Sequence, residues 1–140
     1  MKRVRMYADG GARGNPGPAG CGAVLFELSA DGDEGKRIAE VSEYIGETTN
    51  NQAEYKAIIF GLEKAKEIGA DSVDVRLDSE LAVKQLNGEY RVKNPGLAER
   101  YLEVHNLRSS FREIRFTHVR RAFNKEADAL VNKAIDEAQM

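Results

Sequence analysis

The 140-residue chain has no tryptophan, a single cysteine, three prolines and only two histidines. The lone Cys21 excludes an intramolecular disulfide and any cysteine-rich zinc site, and fits an intracellular, cytoplasmic protein. Two histidines cannot make a histidine-rich metal cluster. No apolar run is long enough to span a membrane, and the start MKRVRMYADGG lacks the apolar region of a signal peptide. There are no repeats, low-complexity segments or linkers, so the expectation is one monomeric domain covering residues 1–140.

Charge is abundant: 31% of residues are Asp, Glu, Lys or Arg, and 41% are hydrophobic, the balance of a globular chain. The net charge of −2 hides an asymmetry, because Lys84 to Lys125 holds ten Lys/Arg against four Glu. A basic segment facing an acidic remainder suits a polyanion groove beside a metal site. It also suits an unevenly charged surface.

Periodicity reads as mixed α/β. Lys2–Asp9, Cys21–Leu28 and Lys36–Glu47 read as three antiparallel strands separated by turn clusters. The spacing then predicts a helix over Asn51–Ile68, with Gly69 closing it. Val73, Val75 and Leu77 alternate as a fourth strand ending at Asp78, followed by a short helix from Ser79 to Asn87. NGEYRVKNPG is a loop, Leu97 to Phe111 a helix, and Ile114, Phe116 and His118 a fifth strand. A last helix starts near Asn124. This order implies a five-stranded mixed sheet, its first three strands antiparallel, with helices on its faces.

Four acids gather at one edge of that architecture. Asp9 and Asp78 follow the first and fourth strands, whose ends lie roughly 5 Å apart if the strands are parallel neighbours. Glu54 falls within the apolar stripe of its helix, where an acid is costly to bury unless paired or metal-bound. Asp128 flanks the stripe of the last helix, in its first turn. Each has a structural alternative: Asp9 as a turn residue, Asp78 as a helix cap, Glu54 in a capping-box-like pair with Asn51, and Asp128 as a complement to the helix dipole. Four convergent carboxylates are hard oxygen donors, suited to Mg²⁺ or Mn²⁺ rather than zinc.

The motifs YADGGARGNPGPAGCGAVL, TTNNQAEYKAIIFGL, LDSELAVKQL and HVRRAFNKEADALVNKA, in this order and spacing, resemble those of type 1 ribonuclease H over essentially the whole chain. The resemblance implies the ribonuclease H-like fold and an endonuclease that cuts the RNA strand of RNA–DNA hybrids, leaving 5′-phosphate and 3′-hydroxyl ends. It implies two metal ions held by Asp9, Glu54, Asp78 and Asp128, with Asp9 bridging. Asp128 would join it on the ion that activates water, and Glu54 and Asp78 on the ion near the leaving oxygen. It assigns RNA-strand contacts to Gly10 and Gly11 in the loop Gly10–Gly14 and to Asn50, Asn51 and Glu54, and backbone contacts to Asn15 and Thr49. His118, ten residues before Asp128, matches a mobile histidine that assists proton transfer or product release; its alternative is a partly buried strand-end histidine. His105 reads as a surface residue.

The chain departs from well-studied bacterial members in lacking a basic, tryptophan-containing protrusion, with NGEYRVKNPG in its place. Grip on the hybrid is then expected from Arg91, Lys93, Arg120 and Arg121. A catalytically silent hybrid-binding module would need a lost acid, and none is lost. Exonucleases of this fold place Glu two residues after the first Asp, where this chain has Gly11. Double-stranded RNA stays open as a second substrate.

Overall fold

The computed structural model describes residues 1–140 as β1 (Arg3–Ala12), β2 (Gly17–Leu28), β3 (Glu34–Thr48), α1 (Asn50–Glu67), β4 (Ser72–Leu77), α2 (Glu80–Leu86), α3 (Pro95–Arg108), β5 (Glu113–His118) and α4 (Lys125–Ala138). A short 3-10 turn, Arg121–Phe123, precedes α4. The strands form one sheet in the order β3-β2-β1-β4-β5. β1, β2 and β3 are antiparallel neighbours, whereas β4 runs parallel to both β1 and β5. The expected mixed sheet is therefore present. No helix is long and apolar enough to cross a membrane.

Alternation along β1 sends Val4, Met6 and Ala8 into the core under α1, which buries Ala57, Ile58, Leu62 and Ala65 in return. α3 packs on the far side of α1. The Tyr55 hydroxyl, buried with α1, donates to Gln85 Oε1 at 2.6 Å, so neither polar group is left unpaired in the core. α4 lies on the opposite face of the sheet, over β2, β3 and the end of β1.

Local chemistry sets the helix starts. Thr49 Oγ1 accepts from the Gln52 amide at 3.2 Å, Ser79 Oγ from the Ala82 amide at 3.2 Å, and Asn94 Oδ1 from the Leu97 amide at 3.1 Å. These are the caps of α1, α2 and α3, which frees Asn51, Glu54 and Asp78 from the capping alternatives considered for them. α3 ends at Arg108, short of the expected Phe111, which is instead buried in the turn into β5.

One boundary changes the reading of the glycine-rich stretch. β1 does not end at Asp9 but continues through both glycines, pairing Gly10 with Cys21, Gly11 with Gly20 and Ala12 with Ala19. The reason is that β2 begins at Gly17, four residues before the expected Cys21, and supplies partners for the extension. What stops near Asp9 is the parallel ladder, whose last pair is Ala8 with Leu77. β1 therefore overhangs β4, and Asp9 stands at the step.

Gly10 is where α1 touches the sheet: a Cβ there would sit 2.1 Å from the Ala53 carbonyl oxygen. Gly22 does the same for α4, with a hypothetical Cβ 2.3 Å from the Ala127 carbonyl oxygen. Gly11 has room, its nearest neighbour being Val131 Cγ1 at 3.9 Å. Gly10→Ala is thus expected to destabilise the fold by about 1–3 kcal/mol or more, as backbone overpacking does. Gly11→Ala should cost less than about 1 kcal/mol by the same criterion. Urea unfolding of the two variants checks this, and equal losses would contradict it.

Candidate active site

Four elements converge where β1 overhangs β4. Asp9 comes from β1, Asp78 from the residue after β4, Glu54 from the second turn of α1 and Asp128 from the first turn of α4. All four line one open cavity of about 320 Å³. A smaller apolar recess beneath it is floored by Ala8, Ile58, Leu77 and Ala82 and is shared by Asp9, Glu54 and Asp78. These three are half-buried, whereas Asp128 is exposed.

That setting raises two of the acids. Burial against the apolar floor, then the charges of Asp78, Asp128 and Glu54, push Asp9 up to about 8. Burial also pushes Glu54 up to about 7, helped by Asp78, while the Ser79 hydroxyl and the Arg121 guanidinium pull it the other way. The donor set consists of carboxyl oxygens gathered on one cavity, hard donors of the kind that suit divalent cations. No three acidic, histidine or cysteine side chains are grouped tightly enough to hold an ion as they stand.

The surrounding residues are held by a specific network. The Ala12 amide donates to Asn50 Oδ1 at 2.8 Å, and the Asn50 amide donates to Asn15 Oδ1 at 3.0 Å. Asn15 and Asn50 thus tie the β1–β2 turn to the start of α1, which Thr49 caps, and Asn50 also lines the cavity with Gly10 and Gly11. Asn51 is exposed on the first turn of α1. Arg121 lines the cavity; Arg120 and His118 do not. His118 is exposed at the end of β5, not partly buried. Arg91 and Lys93 are exposed in the α2–α3 loop, away from the cavity. His105 is exposed and stacks on Tyr101.

Two further residues escaped the sequence reading. Asn124, 1% exposed, donates from Nδ2 to the Ala8 carbonyl at 2.9 Å, anchoring the start of α4 to the residue before Asp9. This brings Asp128 beside Asp9. Arg13 reaches from the β1–β2 turn to Asp136 at 2.7 Å and Asn132 at 3.2 Å, closing the cavity wall. The one available signal for Asn124 was its position as a polar residue just before the apolar stripe of α4; the long-range contacts had none.

The reverse transcriptase-like family profile matches residues 7–134. The chain is 46% identical to ribonuclease HI of Halobacterium salinarum over 136 residues, covering 97% of this chain and 66% of that protein. The crystal structure of that archaeon's RNase H1 superposes with a TM-score of 0.88, covering 96% of this chain and 98% of the other. The chain belongs to the type 1 ribonuclease H family. LC11-RNase H1, isolated from compost and solved in complex with an RNA/DNA hybrid, is 44% identical with a TM-score of 0.88, covering 98% and 99% of the two chains. The bifunctional protein Rv2228c of Mycobacterium tuberculosis is 45% identical over 97% of this chain, which spans only 36% of that protein's length.

Raised acids carry a pH signature. Asp9 binds its proton more tightly in the folded than in the unfolded state, where it titrates near 3.9. Without cations, stability is therefore lost as pH rises from about 4 towards the folded value of about 8. Asp9→Asn should remove that loss, so in chelator its stability gain over the parent grows across this window. Urea unfolding at a series of pH values measures it; a gain that is flat with pH would contradict the burial of a repelled charge.

Proposed function

We propose that this chain is an endoribonuclease that hydrolyses the RNA strand of RNA–DNA hybrids with two divalent cations, Mg²⁺ or Mn²⁺, leaving 5′-phosphate and 3′-hydroxyl ends. The observation that carries the reading is the convergence of Asp9, Glu54, Asp78 and Asp128 on one open cavity in a chain of this family. The hybrid seen with LC11-RNase H1 supports the substrate class. Asp9, Glu54, Asp78 and Asp128 would hold the ions. When bound, the ions supply water activation and stabilisation of the leaving 3′-oxygen.

The chain's own residues do the rest. The rigid step between β1 and β4 fixes Asp9 and Asp78 with little freedom to reorganise, which is where positioning contributes most to rate. Gly11, with no side chain on the cavity side, lets the RNA backbone approach, and Asn50 and Asn51 offer amide groups to the 2′-hydroxyl that separates RNA from DNA. Gly10 contributes its backbone only, because its Cα side is filled by α1. Asn15 and Thr49 brace this rim and contact the backbone of the substrate. Arg121, beside Glu54, is placed to hold the cleaved phosphate, and Arg120 to steer the strand. His118 acts from outside the cavity, shuttling a proton or easing product release. Arg91 and Lys93 extend the grip along the α2–α3 loop. The chain works as a single domain and a monomer.

A gel assay of labelled RNA–DNA, RNA–RNA and DNA–DNA duplexes, with and without Mg²⁺ or Mn²⁺, tests the reading. RNA-strand cleavage of the hybrid that requires the cation is expected; cleavage of double-stranded RNA alone would redirect the substrate class. Asp9→Asn and Glu54→Gln should each abolish hydrolysis at saturating cation without unfolding the protein, and most activity surviving in either would end the two-ion reading. Removing Arg121 (to Ala) should lower kcat by about a hundredfold, the scale of one lost electrostatic contact to the reacting group. His118→Ala should slow turnover roughly tenfold to a thousandfold with hybrid affinity little changed. A parental kcat for His118→Ala would leave that residue without a role.

A further inference from the structure

α4 packs chiefly on β1, β2 and β3. On that side of the sheet, the first half of β1 together with β4 and β5 has no helix over it. Cross-strand register builds three rows there: Arg3, Ser72 and Glu113; Arg5, Asp74 and Arg115; Tyr7, Arg76 and Thr117. A depression of about 530 Å³ on this face is lined by five arginines, Arg3, Arg5, Arg76, Arg112 and Arg115. Only two carboxylates, Asp74 and Glu113, line it with them.

Both carboxylates are already engaged. Asp74 sits between Arg5 at 2.9 Å and Arg76 at 3.1 Å, and Glu113 lies 2.8 Å from Arg115. Glu34, on β3, is 3.7 Å from Arg5. Arg3 and Arg112 pair with no carboxylate. In a chain of net charge −2 this is a local concentration of positive charge with guanidinium groups held in place by shared acids. Tyr7 and Phe26, half-exposed on the same face, meet edge to face with centroids 5.9 Å apart.

This chemistry recognises phosphates. Guanidinium forks match phosphate oxygens, and a sheet face bearing arginines and aromatic rings suits an unpaired strand, whose bases are free to stack. An acidic peptide would want apolar anchors, and Met1, Leu28 and Val73 are all the depression offers. At its carboxyl end the face opens beside the acidic cavity, since Tyr7 and Arg76 are cross-strand partners lying two residues before Asp9 and Asp78. We propose that the open β1–β4–β5 face is a second nucleic-acid site that takes single-stranded phosphodiester backbone. Its occupant is a single-stranded overhang of the hybrid engaged at the acidic cavity, which rests on the proposed function; single-strand binding itself does not.

The test is fluorescence anisotropy of a labelled short oligo(dT) in chelator, across a salt series, with the protein and two double variants. Arg3→Ala/Arg112→Ala should weaken binding about tenfold and reduce the salt slope by roughly 1.4, at about 0.7 per lost contact to a single strand. Lys64→Ala/Lys66→Ala, an equal charge change at the end of α1 on the other face, should leave both unchanged. Cleavage of blunt hybrid should be the same in all three proteins, whereas a hybrid with an overhang should lose its affinity advantage only in the arginine variant. Unaltered oligo(dT) binding in the arginine variant would overturn the proposal, as would equal weakening by the lysine variant or equally effective competition by oligo-glutamate. If the parent binds oligo(dT) through these arginines but cleaves no hybrid, the proposed function fails and this site stands.

Discussion

The arrangement rests on two places where a helix backbone lies against a strand backbone with no side chain between them. At Gly10 the α1 carbonyl of Ala53 occupies the volume of a Cβ, and at Gly22 the α4 carbonyl of Ala127 does so from the other face. Asp9 and Gly22 are paired across β1 and β2, and Gly10 follows Asp9 directly. The two closest approaches of a helix backbone to the sheet thus flank the same acid. Glu54 is the residue after Ala53, and Asp128 the residue after Ala127. Each helix delivers its carboxylate from the point at which it is pressed hardest onto the sheet, and interiors at crystal-like density transmit little slack.

That closeness has an electrostatic consequence. Asp9, Glu54 and Asp78 share an apolar floor, and the site holds four carboxylates with Arg121 as the nearby counter-charge. Asp74, by contrast, is paired by both Arg5 and Arg76. Burying carboxyl groups together in this way costs stability, because the charged forms repel and are poorly solvated. The raised proton affinities of Asp9 and Glu54 follow from that shared burial and from the neighbouring acids.

The ten basic residues between Lys84 and Lys125, contiguous in the sequence, do not form one surface. Arg112 and Arg115 line the open sheet face, Arg121 lines the acidic cavity, and Arg91 and Lys93 stand on the α2–α3 loop. Arg100 is engaged with Glu99 and Glu103 on α3, and the Arg108 guanidinium lies over Phe116 while donating to the Leu86 carbonyl. Meanwhile Arg3, Arg5 and Arg76, from outside that run, complete the positive face. The sheet gathers charge across strands, by register, rather than along the chain.

Element types were legible because they follow from short-range rules. Alternation in Val73–Leu77 and the helical stripe through Ile58, Leu62 and Ala65 depend on neighbours within a few residues, whereas the caps proved to be Thr49 and Ser79, each one residue or more from the expected Asn51 and Asp78. The four acids were legible too, since an acid in the apolar stripe at Glu54 and one at the end of β4 can be seen in one dimension, and the motifs that carry all four match a family. Other features needed the tertiary structure. The end of β1 was misplaced because strand length depends on whether a partner is available, and Ala19, Gly20 and Cys21 supply one from beyond the turn. Gly10 reads as a turn residue until α1 is laid against it. Asn124, Arg13 and the separation of Arg121 from His118 at the cavity all depend on contacts between residues far apart in the chain. Periodicity and composition carry no information about such distances, which only the packed sheet and its helices determine.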